Sequence, residues 1–412
     1  MLKNYFKIAI AVLRRRKFFT FISLFGISFT LTILIVLAAF INNITRSDYP
    51  DRKRDRSRYL MLMDQRNEKN GSQNTSQLSF YFLNRFVNTM KTPEKVAISS
   101  IFHATNTYVN NKKLVINVKY TNSAFWEVMD YDFLEGKPFE LLQVNNAEKV
   151  AVISQDTRNN YFGEGVSAAG KYIETDNEKY RVIGVVKDVP VTMVYGYGDI
   201  YIPYTLSKVA YRDKDLGGDF LGVLLAKKGS DPDEMENEYQ GIISKIPFKG
   251  TDFDKRYSHA DTFVASFTRV VLGGGSNSGI GNFIVILSLV AFLFMLLPTL
   301  NLININTSRI MERSSEIGVR KAFGASSGTL VLQFITENII LTFIGGLIGL
   351  ILSWGIIQYI NSSNLIPNIR LTIDFQVVLL GVVACLVFGF LSGVYPAWRM
   401  SRLHVVTALK AN

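Results

Sequence analysis

The chain has 412 residues, of which 48% are hydrophobic and 19% are charged, and its mean hydropathy is +0.17. Soluble domains usually carry more charge, and the apolar residues are concentrated in a few long runs, so the chain is predicted to be a membrane protein. The net charge of +11 does not indicate nucleic-acid binding, because residues 44–279 hold 31 Lys and Arg against 30 Asp and Glu. The basic excess lies outside that range, beside long apolar stretches.

Two segments precede the first large domain. Residues 1–17 predict a cytoplasmic amphipathic helix, because apolar side chains recur at helical spacing against basic ones. The alternative is that they are the solvated start of the first span. Residues 18–43 predict transmembrane helix 1, since about 20 apolar residues cross a hydrocarbon core of roughly 30 Å. Their apolar stretch is too long for a cleaved signal peptide, so we predict a retained anchor.

Residues 44–279 predict a large extracytoplasmic domain between helices 1 and 2. Period-two stretches such as Leu114–Tyr120 are typical of strands, and residues 78–95 predict a helix, so the domain is expected to be α+β. Ser266–Gly281, rich in Gly and Ser, predicts a flexible linker back to the membrane. Further short elements are expected as strands at Lys149–Ile153, Tyr180–Lys187, Asp199–Pro203 and Gly222–Lys227 and as helices at Gln155–Phe162 and Asp231–Ile246.

One loop in this domain resembles a nucleotide-binding motif. Gly165–Lys171 matches the first seven positions of a Walker A loop, but Tyr172 stands where Ser or Thr would hold magnesium. A strand pattern follows the loop, whereas phosphate binding needs a helix there. We therefore predict a turn. The three histidines lack metal spacing and no catalytic motif is found, so the sequence predicts no metal site, no cofactor and no enzyme activity.

The rest of the chain alternates apolar stretches with short links. The expected segments are transmembrane helix 2 (280–304), a cytoplasmic link (305–328), helix 3 (329–360), a short extracytoplasmic loop (361–375), helix 4 (376–397) and a cytoplasmic tail (398–412). Short cytoplasmic loops carry the excess of Lys and Arg, which places both termini and the link in the cytoplasm. The predicted fold class is a polytopic α-helical membrane protein with four transmembrane helices and a large α+β extracytoplasmic domain.

The cytoplasmic link mixes charges of both signs with apolar residues such as Ile317 and Phe323. A short helix of this kind is suited to dock in a groove of a soluble partner, and the alternative is a solvated loop. Within helix 3, Gln333 and Glu337 lie one turn apart. An ionisable group inside a membrane is a candidate functional residue. The alternative is that both side chains reach water at the cytoplasmic end of the span.

Several motifs resemble one family of transporters. Arg313–Ala325 carries R-x-x-E-I-G-x-R-K-A-x-G-A, and Gln333–Glu337 carries Q-F-x-x-E. Both resemble the signature of MacB/FtsX-type ABC transporter permeases. Phe133–Phe139 and Val182–Asp188 are similar to the MacB-like periplasmic core domain. Tyr395–Leu403 matches the family's ending, although the residues after it depart from the family's usual polar residue, proline and acid. The resemblance covers nearly the whole chain.

The resemblance implies a permease dimer in the bacterial inner membrane, surrounded by lipids and formed by two copies or with a close paralogue. It implies a separate ABC ATPase subunit, because the sequence starts at the membrane and has no complete Walker loop. ATP-driven motion would reach the external domain through a coupling helix, without passage of substrate through the membrane helices. By position, that ATPase-coupling helix consists of Glu312, Arg313, Glu316, Gly318, Arg320, Lys321 and Gly324.

Three functions are compatible with this resemblance. The first is export of peptides, antibiotics or other amphiphiles with a periplasmic adaptor and an outer-membrane channel. The second is extraction of lipoproteins, as in Lol-like permeases. The third is an FtsX-like transmembrane signalling relay that controls a cell-wall hydrolase. A membrane-anchored binding protein outside the ABC class would leave the coupling motif unexplained.

Overall fold

The computed structural model describes residues 17–109, 112–208, 211–248, 251–312, 326–363 and 365–383, with residues 319, 323, 386, 387, 390 and 394. The predicted amphipathic helix, apart from Lys17, and the 398–412 tail lie outside these residues. The chain divides into two compact units. Ile44–Ile284 and Asn364–Ile369 form the sheet unit, and the remaining apolar segments form the helical unit.

The helices in the described residues are α1 (Lys17–Thr45), α2 (Phe80–Arg85), α3 (Phe125–Val128), α4 (Leu141–Asn145), α5 (Gln155–Phe162), α6 (Asp233–Lys245), α7 (Phe263–Val271), α8 (Ile280–Glu312) and α9 (Ser327–Ser362). Residues 375–383 are also helical. Short 3₁₀ turns occupy Arg54–Arg56, Val87–Thr89 and Tyr204–Leu206.

The helical unit contains the apolar helices that the sequence predicts. Lys17–Thr45 and Ile335–Ser362, the latter within α9, are each long and apolar enough to cross a membrane. The apolar part of α8, Ile280–Leu296, is shorter. Helix α8 nevertheless continues to Glu312, past the expected end of helix 2 at residue 304. The number of four transmembrane helices stays a prediction.

Fourteen strands of the described residues form one mixed sheet. They are β1 (Ser57–Leu60), β2 (Met63–Arg66), β3 (Gln73–Leu78), β4 (Pro93–Ser100), β5 (His103–Val109), β6 (Lys112–Thr121), β7 (Phe133–Gly136), β8 (Val150–Ser154), β9 (Tyr172–Thr175), β10 (Glu178–Val186), β11 (Ile200–Pro203), β12 (Gly217–Gly218), β13 (Phe220–Ala226) and β14 (Lys255–Tyr257). The hydrogen-bonded order is β14-β2-β3-β13-β4-β6-β11-β8-β10-β7, and β1, β12, β5 and β9 pair with β13, β3, β6 and β10 respectively.

The sheet is parallel at β6/β11 and β8/β10 and antiparallel at its other pairings. Its central strands are apolar on both faces: every residue of β8 and of β13 is buried. Such runs are typical of strands covered on both sides. Helices α2 and α6 pack in one hydrophobic cluster with β13, and α3 packs in another with β8. The predicted α+β class of this domain is confirmed.

Helix α5 shows how local sequence sets an element. The Ser154 hydroxyl accepts a hydrogen bond from the Thr157 amide at 3.1 Å and caps the helix. Gly163 then has φ +105°, a conformation that side chains disfavour, and ends it. The predicted helix Gln155–Phe162 is confirmed, and the expected strands at residues 149–153, 180–187, 199–203 and 222–227 and the helix at 231–246 are confirmed to within two residues at each end.

Two predictions in this domain have the wrong bounds. The helix expected over residues 78–95 ends at Arg85, because Pro93 begins the buried strand β4 and the strand pairing outweighs helical periodicity. The flexible linker expected over Ser266–Gly281 begins instead inside helix α7, which Thr262 caps by accepting a hydrogen bond from the Ala265 amide. The glycine run after α7 is held by hydrogen bonds described below.

Candidate functional site

The chain leaves α1 through a buried ionic cluster. Arg54 Nη1 donates to the carbonyl oxygens of Ile44 and Arg46, each at 2.7 Å. Carbonyls at a helix C-terminus lack intrahelical partners, so the guanidinium satisfies them. Arg54 Nε also donates to Asp51 Oδ2 at 2.9 Å, and the Tyr59 hydroxyl donates to the same oxygen at 2.6 Å. The end of α1 is thereby fixed to strand β1.

The same guanidinium contacts helix α7. Its central carbon lies 3.5 Å from the ring centre of Phe263, the first residue of that helix, and this ring packs edge-on against Tyr59. A cation over an aromatic face is stabilised most when water is excluded. Burial raises the pKa of Asp51 and of Tyr59, which reflects that exclusion. One arginine therefore contacts both the segment that follows α1 and the segment that leads to α8.

The segment that leads into α8 is ordered by side-chain hydrogen bonds. Arg269 on α7 binds the Asp261 carboxylate with Nε and Nη2, at 2.6 and 2.8 Å, and donates from Nη1 to the Gly275 carbonyl at 3.0 Å. The Thr268 hydroxyl donates to the Ser278 carbonyl at 2.8 Å. Asp261 in turn exchanges backbone hydrogen bonds with β1. The glycine run is thus folded back onto α7 before α8 begins.

Neither the Arg54 cluster nor the hydrogen-bonded glycine run is predicted from the sequence. Arg54 lies in a basic run, Arg52–Arg58, that carries no signal of a buried ion pair, and composition predicts a flexible linker for the glycine run. Two signals pointed the other way: Thr262 before an apolar run is typical of a helix N-cap, and Phe263 and Phe267 lie one turn apart.

Helices α1 and α9 approach each other closely in the helical unit. A Cβ atom added to Gly345 would lie 2.9 Å from Ile27 Cβ, and one added to Gly349 would lie 2.9 Å from the Ser28 carbonyl oxygen. The Thr32 hydroxyl also donates to the Gly349 carbonyl at 3.2 Å. Small residues four apart permit such backbone approach between membrane helices. The glycine pair therefore serves packing.

The two polar residues predicted within helix 3 lie near one end of α9. Glu337 lies on α9, and it is buried within the helical unit. Glu337 and Asn338 both have interaction partners. The backbone of Gln333 belongs to α9, and its side chain lies outside the described residues. The functional role of Glu337 and its access to interfacial water both stay predictions.

The ATPase-coupling helix falls almost entirely outside the described residues. Glu312 is the last residue of α8. Helix α9 begins after Ser326, whose hydroxyl accepts a hydrogen bond from the Thr329 amide at 3.2 Å. The coupling role stays a prediction. The predicted coupling residues that the structure does not describe are Arg313, Glu316, Gly318, Arg320, Lys321 and Gly324.

The loop that resembles a Walker motif binds a carboxylate of its own chain. Glu135 Oε2 accepts hydrogen bonds from the Ser167 hydroxyl at 2.8 Å and the Ala168 amide at 2.9 Å, and Oε1 accepts one from Arg158 at 3.0 Å. Burial alone raises the pKa of Glu135, but these hydrogen bonds and the Arg158 charge outweigh it, and the net pKa is lowered. The loop is followed by β9, as predicted, so its amides serve the fold.

The described part of the chain contains no group of three or more His, Cys, Asp or Glu side chains that could hold a metal ion. His259 Nδ1 lies 2.8 Å from Glu236 Oε1, and the Ala260 amide donates to the other oxygen of that carboxylate at 2.6 Å. This histidine therefore joins the loop after β14 to α6. Its position is explained by packing.

Along the chain the sheet unit lies between α1 and α8, so the protein combines long apolar helices with one large α+β domain. The sequence matches the MacB-like periplasmic core domain over residues 20–242 and the FtsX-like permease C-terminal family over residues 288–405. The chain therefore belongs to the MacB/FtsX-type ABC transporter permeases, which are bacterial membrane proteins.

The matches to two relatives cover different shares of each relative's length. The chain is 23% identical over 320 residues to the uncharacterized ABC transporter permease YknZ of Bacillus subtilis (strain 168), covering 77% of this chain and 75% of YknZ. It is 25% identical over 305 residues to the macrolide export ATP-binding/permease protein MacB 2 of Yersinia pestis bv. Antiqua (strain Antiqua), covering 73% of this chain. That match spans 42% of the relative's length.

One solved structure similar to this chain is a domain of a putative permease protein from Porphyromonas gingivalis. It is 13% identical, with a TM-score of 0.40, and the match covers 52% of this chain and 90% of that domain.

Proposed function

We propose that this chain is the permease subunit of a MacB-like, type VII ABC transporter that passes ATP-driven motion to its external domain for export of peptides, antibiotics or other amphiphiles. The observation that carries the proposal is the Arg54 cluster, which joins the end of α1 to the segment before α8. Motion can reach a domain only through the segments that connect it, and within the sheet unit this cluster orders the segments next to α1 and α8.

The membrane arrangement is part of the proposal. Four spans place the sheet unit outside the membrane and both termini and the 305–328 link in the cytoplasm, because the basic residues gather in those short segments. Helix α8 has 33 residues and is therefore about 50 Å long, which exceeds a hydrocarbon core of roughly 30 Å. Its last turns would project toward the coupling segment.

ATP hydrolysis is assigned to a separate ABC ATPase subunit. This assignment is supported by the relatives: the match spans 75% of YknZ, which is named a permease, and 42% of MacB 2, which is named an ATP-binding/permease protein. The coupling segment around Glu316 and Arg320 would dock in a groove of that ATPase. A second permease, either identical or a close paralogue, completes the transporter, and an adaptor and an outer-membrane channel would serve export.

Export is favoured over lipoprotein extraction and signalling because the relative MacB 2 is named a macrolide export protein. We propose that the substrate reaches the sheet unit from outside the membrane. The helical unit would then serve to transmit motion, as the close packing of α1 on α9 supports.

Co-purification tests the ATPase assignment. The tagged full chain is purified from native membranes in mild detergent, and stoichiometric partners are identified by mass spectrometry. The test variant carries Glu316→Lys with Arg320→Glu. The control carries Lys149→Glu with Glu178→Lys, which reverses an exposed ion pair of 2.6 Å in the sheet unit. We expect an ATPase with a Walker motif in the wild type and the control but not in the test variant. Absence of any ATPase, or its equal recovery with the test variant, would contradict the proposal.

A further inference from the structure

A cleft of about 830 Å³ opens in the sheet unit beside strands β14, β2 and β3. Its volume lies within the range of sites that hold drug-sized molecules. In the strand register Arg256 pairs with Gln65, and Gln65 pairs with Asn74. All three residues line the cleft. The floor is therefore a row of hydrogen-bonding side chains across three strands, with a guanidinium at one end.

Arg256 carries a buried charge without an acidic partner. It is 9% exposed, and no carboxylate of the described residues lies within 4 Å of it. Nη1 donates to the Ile246 carbonyl at 3.0 Å, and the guanidinium carbon lies 4.4 Å from the ring centre of Phe248. Nε is buried and has no hydrogen-bond partner.

Such an arrangement is costly for the fold by itself. Arginine has five N–H donors, and the contact with Ile246 uses one of them. A buried charge normally has a counter-charge, because removal from water is unfavourable. Burial accordingly lowers the pKa of Arg256. A structural role for the side chain explains the Ile246 contact but leaves the unpaired Nε and the missing counter-charge without explanation.

The walls of the cleft have a different character from its floor. They combine apolar and aromatic side chains with Ser76, Thr251 and two glycines, and at the rim Lys214 and Asp215 are exposed and have opposite charges. An apolar wall beside one fixed cation suits a molecule with a compact anionic head and an apolar body. The apolar and aromatic lining residues are Tyr81, Phe86, Leu216, Ile246, Pro247 and Phe253.

We propose that this cleft binds a small anionic amphiphile, whose carboxylate or phosphate monoester head pairs with Arg256 and whose apolar body lies against the aromatic wall. A guanidinium binds both heads through paired N–H donors, so the two share one recognition chemistry. The site goes beyond the proposed transport function. It concerns binding to the sheet unit, whether the bound molecule is transported, regulates the transporter or is held as part of the structure.

Fluorine NMR titration of the full chain in phosphatidylcholine nanodiscs tests the proposal. The probes are 4-(4-fluorophenyl)butanoate, 3-(4-fluorophenyl)propyl phosphate and the neutral 4-(4-fluorophenyl)butanamide, and empty nanodiscs measure partition into lipid. We expect at least one anion to bind about tenfold more tightly than the amide, since hydrogen bonds to a charged group contribute that much. The anion that binds more tightly identifies the preferred head.

Variants separate the buried cation from general surface charge. Arg256→Gln is expected to reduce the affinity for the anion about tenfold, to the level of the amide. The control Lys214→Gln removes a positive charge at the rim and is expected to change the affinity by less than about threefold. Equal binding of anions and amide by the wild type would overturn the proposal without any variant. So would an Arg256→Gln protein that binds the anion as well as the wild type.

Discussion

Arg269 holds the carboxylate of Asp261 with two parallel hydrogen bonds, from Nε at 2.6 Å and from Nη2 at 2.8 Å. Paired guanidinium–carboxylate contacts are among the strongest polar interactions in proteins. Asp261 is also the backbone partner of Tyr59 on β1, with hydrogen bonds of 2.8 and 3.0 Å. The pair therefore joins α7, the helix that leads to α8, to β1, the strand that follows α1.

Breaking this pair is expected to destabilise the sheet unit. Both side chains are about nine-tenths buried, so Asp261→Asn leaves the Arg269 charge without a counter-charge and should lower the free energy of unfolding by about 3 kcal/mol. Denaturant unfolding followed by Trp126 fluorescence, with Trp354 and Trp398 replaced by Phe, measures the change. The control is Glu174→Gln in an exposed ion pair, which should leave the midpoint unchanged. Equal midpoints for wild type and Asp261→Asn would contradict the assignment.

The contact of α1 with α9 predicts a size limit at Gly345. Gly345→Ala places a methyl group 2.9 Å from Ile27 Cβ and should lower the stability of the helical unit by about 1–3 kcal/mol. The matched control is Gly355→Ala on the same helix, where a Cβ atom meets nothing within 4 Å. Thermal unfolding in detergent should show a lower midpoint for the first variant only. If both variants melt with the wild type, the two helices are not in close contact.

Glu135 predicts a loss of stability in acid. Since its pKa is lowered in the folded chain, its contribution is present above the unfolded pKa of about 4.3 and is lost as the pH falls through the folded value. Glu135→Gln should cost about 1 kcal/mol at pH 7 and weaken the acid-induced loss. Chemical unfolding at pH 7 and below pH 4 measures both effects. The exposed control Glu174→Gln should leave the midpoint at pH 7 unchanged. A Glu135→Gln protein as stable as the wild type at pH 7 would refute the prediction.

A buried lysine predicts that stability also rises with pH between neutral and basic conditions. Lys119 on β6 is fully buried, and its Nζ donates to the carbonyls of Ser100 at 2.7 Å and Val194 at 3.1 Å. Burial lowers its pKa to about 7, whereas the unfolded value is about 10.4. Between these values the unfolded chain binds a proton that the folded chain lacks, so this group makes stability rise with pH.

Unfolding of Lys119→Met across pH 7–10 tests this trend. The variant should show a flatter dependence of stability on pH than the wild type. Lys113→Met removes an exposed lysine from the same strand and should keep the wild-type slope. Parallel curves for wild type and Lys119→Met would show that the buried amine does not titrate in this range.

The parts of the fold that the sequence predicts are those fixed by neighbouring residues. Helix α5 lies between the Ser154 cap and Gly163, and both are local signals. The apolar helices follow from composition, since a hydrocarbon core sets their length. The Glu135 site could not be predicted, because it joins residues 135, 158 and 167–168 through the packing of three separate segments.

The Arg54 cluster could not be predicted from the sequence for a related reason. In the sequence Arg54 is one of several neighbouring basic residues. It differs from them in the fold, where it is buried beside Asp51 and Phe263. The cleft at Arg256 likewise depends on the register of β14 against β2, two strands far apart in the chain. Pairing between distant segments is decided by tertiary packing, which local periodicity does not record.

Because hydrogen bonds hold the glycine run in place, that run is a poor site for inserted sequence. By composition, residues 273–279 are the obvious place for an epitope tag or a fluorescent reporter. Yet a Cβ atom at Gly273 would lie 2.7 Å from Arg269 Cα, whereas one at Gly229 would meet nothing within 4 Å. A reporter inserted beside Gly229, in the turn between β13 and α6, leaves the membrane connection intact. The same insertion after Gly273 would disrupt the hydrogen bonds from Arg269 to Gly275 and from Thr268 to Ser278, which fold the glycine run onto α7.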